Sequence, residues 1–305
     1  MVNVIINNNI TSNTTFSNKN TYFINNEVHV LANITLTIEN KTNIFIVNGL
    51  IKSPRLNFNA LIFDTGSKLI ANQFTVKACN KNFVEEKKAD NGGLWFCGSS
   101  AKADKDNIYV TYSTNTSSFT ANKIYVWYLG HLDKDDKEVD DVDAISVLGV
   151  GSNEWNIKAV YSYYSGDDGF DVEESSITLE TLVVIYPTED ALNITSSRVN
   201  ITKCFEAKTY LYNDRHLFDL EVDKGPSYVR LAKGCKVCVN GIFGTEVTLV
   251  TADMPPVKGN VRYVYSGILT NGQSYIYSTK FDAAKLPQIA DIYNFFQDKF
   301  ALKFF

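Results

Sequence analysis

The residues best suited to chemistry lie between Tyr163 and Ser176, in the stretch YYSGDDGFDVEESS. Asp167 and Asp168 are adjacent carboxylates framed by Gly166 and Gly169, and Glu189 and Asp190 form a second acidic pair downstream. Paired carboxylates can serve as acid and base at a glycosidic bond. The same hard oxygens can ligate Ca²⁺, with Asp168 and Asp190 as the candidate ligands. A third role is turn chemistry, in which the aspartates cap backbone N–H groups and face water. Water-facing turn aspartates are the expectation, with no effect of a chelator on stability.

Other constellations carry less. The run HLDKDDKEVDDVD (residues 131–143) lacks the ligand order and distal Glu of an EF-hand, so it reads as a solvated loop. Cys235 and Cys238 form a lone CxxC, whereas a structural zinc site needs four ligands. His29, His131 and His216 lie far apart in the chain and assemble no Ser-His-Asp or metal set. No catalytic residue and no organic cofactor is assigned.

The elements that must position the acidic pairs follow from a repeat. Lys158–Leu179 (KAVYSYYSGDDGFDVEESSITL) aligns without a gap on Glu180–Ile201 (ETLVVIYPTEDALNITSSRVNI). Val160 falls on Leu182, Asp167 on Glu189, Asp168 on Asp190, Phe170 on Leu192, Asp171 on Asn193 and Val172 on Ile194. Each unit reads as three short strands with turns between them. A repeat of this length made of short strands marks a β-solenoid, whose coils bury their apolar faces only by stacking. Asp143–Val147 reads as an earlier copy of Asp168–Val172, and Phe218-Asp219-Leu220 as a later one. Period-two segments such as Ile34–Ile38, Ile108–Val110 and Ile124–Val126 extend the all-β pattern. Stacked coils would place Asp168 over Asp190 at about 4.8 Å, the strand spacing of a sheet. Like charges at that distance must be solvated, share a cation or take up a proton.

Aromatic residues add a second candidate. If Val160, Ser162 and Tyr164 face the core, then Tyr161 and Tyr163, with Val183 and Ile185 stacked on them, form an outer apolar stripe that could bind a ligand or partner. The opposite parity would bury the tyrosines.

Four stretches resemble a known family. TYFINNEVHVLANITLTIEN with ALIFDTGSKLIANQFTVKAC, then NGGLWFCGSS, then SVLGVGSNEWNIKAVYSYYSGDDGFDV are similar to successive coils of right-handed parallel β-helix proteins found among bacterial surface and secreted lipoproteins. The resemblance spans roughly residues 20–220. It implies the fold and little about activity, since that family is mostly of unknown function. A lipobox cysteine is missing, so the surface location does not carry over. Gly166-Asp167-Asp168 also resembles the Gly-Asp-Asp of polygalacturonases, which share the β-helix fold. Their Gly-His-Gly and Arg-x-Lys are not matched, because Arg198 is isolated and His216 lacks glycine flanks.

Composition bounds the rest. The chain has 305 residues and a net charge of −5. That acidity argues against nucleic acid and anionic membranes as partners. No apolar run has the length of a membrane span or a signal-peptide core. The expected location is the cytosol of the producing cell or a virus particle. Asn makes up roughly a tenth of the chain, a usage that AT-rich coding favours. The sequence therefore predicts an all-β, right-handed parallel β-helix over residues 1–240. Irregular coils or a hairpin region would follow over 241–280, and an amphipathic helix over 281–305. Leu286, Ile289, Ile292, Phe296 and Phe300 would form the apolar face of that helix. The expected function is non-enzymatic, structural or attachment, with a protein or polysaccharide surface as partner and oligomers allowed. A viral or phage particle component fits this reading, and a glycan-active or glycan-binding β-helix is the alternative.

Overall fold

Short β-branched and aromatic segments, broken by Asn, Gly and Asp, become strands because alternate side chains can enter a shared core. The computed structural model describes residues 2–49, 58–101, 115–131, 142–211, 215–222, 225, 227–244, 247–250, 257–258 and 261–278. Within them the protein is all-β, with no helix. The proposed C-terminal helix, the Ile108–Val110 strand and most of the acidic run 131–143 lie outside the described residues.

Among the described residues, strands gather into two sheets of seven and seventeen members. The smaller stacks Glu27–Val30, Ala60–Phe63, Leu94–Cys97, Ile145–Leu148, Asp171–Glu173, Asn193–Thr195 and Asp219–Glu221, each parallel to the next. Between consecutive strands of this sheet the chain crosses the larger sheet, where pairing is also parallel until the C-terminal strands. Val160 pairs with Leu182 and Val172 with Ile194, as the repeat alignment predicts. Asp171 sits on Asn193, while Ser146 and Val147 sit on Asp171 and Val172.

One detail differs from the alignment. The third strand of one unit is fused to the first strand of the next, giving single long strands, Trp155–Tyr163, Ser176–Ile185 and Arg198–Lys208. No Gly or Pro interrupts them, and the bend is absorbed by a register shift between Leu179 and Thr181.

The core lies between the sheets. Phe63 stacks on Phe96 at 5.3 Å, and Phe205, Phe218 and Phe243 continue the column. Phe170 and Leu192 are fully buried, as their aligned positions predict. Corners are cut by residues in the left-handed region. Gly149, Glu174 and Ser196 (φ 59°, 44° and 51°) turn the chain out of the small sheet in three successive layers. Tyr128, Tyr164 and Tyr186 (φ 58°, 57° and 55°) do the same at the end of the large one.

Apart from the isolated bridges Cys79–Glu85 and His131–Val142, antiparallel pairing among the described residues enters near the C-terminal end of the stack. Arg262–Ile268 pairs with Lys236–Ile242, and Ser274–Ser278 pairs with Tyr228–Leu231 and Val247–Val250.

Candidate functional site

The two repeat units meet at a corner with an aromatic outer side and an acidic inner side. Val160 and Ser162 are buried, so Tyr161 and Tyr163 point outward. Tyr161 stacks on Tyr125 (4.5 Å) and Tyr163 on Trp127 (4.1 Å), which leaves both half-buried in the row. Tyr164 does not enter the core as the simple alternation implied. Its positive φ swings the side chain outward, where it stacks between Tyr128 (5.1 Å) and Tyr186 (6.1 Å). Tyr210 extends this second row at 5.0 Å from Tyr186, with the Arg215 guanidinium 5.4 Å from its ring centre.

The Tyr128–Tyr164–Tyr186–Tyr210 row lines a groove of about 330 Å³. Lys87, Lys88, Ala89, Ser165, Gly166 and Thr188 complete the lining. Tyr186 and Tyr210 are 36% and 37% exposed. Because the rings stack on one another, their faces inside the row are covered, and an incoming molecule meets ring edges and phenol hydroxyls. None of these four hydroxyls is taken by a hydrogen bond among the described residues. Period-two alternation did not reveal this row, since Tyr128, Tyr164 and Tyr186 sit in the left-handed region, where that alternation breaks.

Directly inside Gly166 and Thr188 lies the acidic cluster. The expectation that the aspartates face water is overturned, because Asp167, Asp168, Asp171 and Asp190 are only 4–6% exposed. The glycines that frame them are required by packing. A Cβ on Gly166 would lie 2.6 Å from the Gly130 carbonyl carbon, and one on Gly169 would lie 2.1 Å from Val184 Cγ1. These contacts press the acidic turn against its neighbours and hold the carboxylates inside.

Asp168 and Asp190 are stacked, since Asp168 Oδ1 accepts a hydrogen bond from the Asp190 N–H at 2.8 Å. Asp190 is engaged on its far side. Its Oδ1 accepts from the His216 N–H at 2.5 Å and lies 3.2 Å from His216 Nδ1. The group whose oxygens converge is therefore Asp167, Asp168 and Glu189, with one oxygen from each within 4.8 Å of the others. Two unit charges at that separation repel by roughly 3–4 kcal/mol at an effective dielectric near 20.

The titration of the cluster reflects that strain. Burial, then the Asp168 and Asp143 charges and the Glu189 carboxyl, push Asp167 far above the usual carboxylate range. Burial, then Asp190, Asp143 and Glu189, does the same to Asp168. Burial, then Asp143, Glu173 and Asp168, raises Asp171, and burial lifts Asp143 to about 7 despite its bond from Ser146. Asp190 is also raised by burial, with His216 pulling the other way.

A separate buried set surrounds His29. Its Nδ1 lies 2.7 Å from Asp64 and its Nε2 lies 2.9 Å from Glu27. Burial alone would lower this imidazole, but the hydrogen bonds and charges of Asp64 and Glu27 outweigh it and raise the pKa to about 9. Both ring nitrogens are occupied by carboxylates, so the set is a buried ion cluster. The period-two spacing of Glu27 and His29 was a visible signal for half of it; Asp64 enters only through the pairing of Val30 with Phe63.

Cys235 is buried and Cys238 partly so, and both are free thiols. Arg198 lies on the larger sheet with its guanidinium 6.0 Å from the Tyr228 ring centre. No protein-family model, curated protein or solved structure matches the chain.

Proposed function

We propose that the protein is a right-handed parallel β-helix with a non-enzymatic attachment role, which lays an extended acidic polysaccharide along the tyrosine groove. The groove lined by Tyr128, Tyr164, Tyr186 and Tyr210 together with Lys87 and Lys88 carries this reading. Phenol hydroxyls suit a partner rich in hydroxyl groups, and lysines suit carboxylates or sulfates on it. Parallel stacking supports the solenoid, because each layer adds one strand to the smaller sheet and the core is continuous along the stack. A place on a virus particle or another surface assembly suits a rigid scaffold of this kind.

A panel of acidic and neutral polysaccharides tests the reading. Acidic members should bind, more weakly as salt rises. Tyr164→Ala and Tyr186→Ala should each weaken binding at least tenfold, with little change in melting temperature. Absence of binding, or binding untouched by both substitutions, would overturn it.

The closeness of Asp167 and Glu189 to the groove, with His216 behind Asp190, favours a second reading in which the glycan is cleaved. New reducing ends or unsaturated products in the same incubations, lost in Asp167→Asn, would establish it.

A further inference from the structure

We propose that Asp167, Asp168 and Glu189 form a binding site for a hard divalent cation of the Ca²⁺ type, entered from the tyrosine groove past Glu189. Three carboxylates each place an oxygen within 4.8 Å of the other two. Oxygens bound to one Ca²⁺ at about 2.3–2.6 Å can be at most about 5 Å apart, so this spacing suits a shared ion.

The second observation is Asp167 itself. It is 5% exposed, and its Oδ1 is wholly buried with no hydrogen-bond partner. A buried carboxylate oxygen left without a partner is costly. No donor reaches that oxygen, whereas a cation among the three carboxylates would satisfy it. No lysine or arginine among the described residues forms an ion pair with any of the three. Asp190 is not a ligand in this arrangement because its Oδ1 is held by His216.

Donor type sets the ion class. All three donors are carboxylate oxygens, with no thiol or imidazole, which selects Ca²⁺-like ions over zinc or copper. Access follows from Glu189, which is only partly buried, and from its neighbour Thr188, which lines the groove. The site is independent of the polysaccharide reading, since it needs the acidic turn and not the tyrosine hydroxyls.

The full chain can be stripped with a chelator and titrated with Ca²⁺, followed by thermal melts. Tb³⁺ is a parallel probe, because tyrosines beside the site can sensitise its emission. Chelation should lower the melting temperature by several degrees, Ca²⁺ should restore it, and Tb³⁺ emission should saturate. Asp167→Asn should fold and weaken Tb³⁺ binding at least tenfold, and it should melt independently of Ca²⁺. Glu189→Gln, at a partly exposed position, should weaken binding in the same direction and guards against a folding artefact. A melting temperature indifferent to Ca²⁺ with no saturable Tb³⁺ signal would overturn the site. So would undiminished Tb³⁺ binding in both variants, which would place the ion on other acidic residues.

Discussion

His29 shows how a single residue can tie stability to pH. Its folded pKa of about 9 stands above the unfolded value of 6.5, so the folded state binds the proton more tightly. That stabilisation is fully present below pH 6.5 and is lost as pH rises through 9. The shift corresponds to about 3 kcal/mol. Denaturant titrations between pH 6 and 10 should show stability falling across this window, and His29→Gln should remove the slope while destabilising the protein at pH 6. An unchanged slope in the variant would assign the alkaline loss to other groups. Legibility at this scale was uneven. Phe170 and Leu192 could be placed inside from their aligned positions, because burying rings and aliphatic chains is the ordinary outcome. Asp167 and Asp168 could not, since carboxylates are almost never buried and no local pattern marks the exception. Their burial follows from Gly166 and Gly169 pressed against Gly130 and Val184, which are contacts between layers.

Among the elements, register was the most legible feature, because a gap-free repeat fixes which residue lies on which. Corners were less so. A tyrosine in the left-handed region costs about 1–2 kcal/mol and leaves no mark in composition, yet three successive layers adopt it and turn Tyr128, Tyr164 and Tyr186 outward. The closing strands matter for a different reason. Arg262–Ile268 and Ser274–Ser278 run antiparallel along Lys236–Ile242 and Tyr228–Leu231, and so occupy backbone groups that would otherwise be an open sheet edge. Open edges recruit further strands. A chain ending at Ile242 should therefore self-associate more than the full chain in light scattering, with a lower melting temperature. An equally stable monomer would show that this end of the sheets needs no cover.

For the whole molecule, parallel stacking means that each layer touches chiefly its neighbours, so position along the stack is a nearly one-dimensional coordinate. The tyrosine row is graduated along that coordinate, with ring centres 5.1, 6.1 and 5.0 Å apart. If the row holds the proposed polymer, it is a ruler with four marks. An extended peptide repeats its same-face side chains every ~6.6–6.8 Å, so it would drift out of phase with the marks within a few layers. A polymer whose units advance by nearly one layer each would stay in phase from Tyr128 to Tyr210. For such a polymer, affinity measured against chain length should climb with each added unit up to about four and then level off, as expected when the marks run out and further units add only local concentration. A flat series from the dimer upward would mean that the marks are not read together.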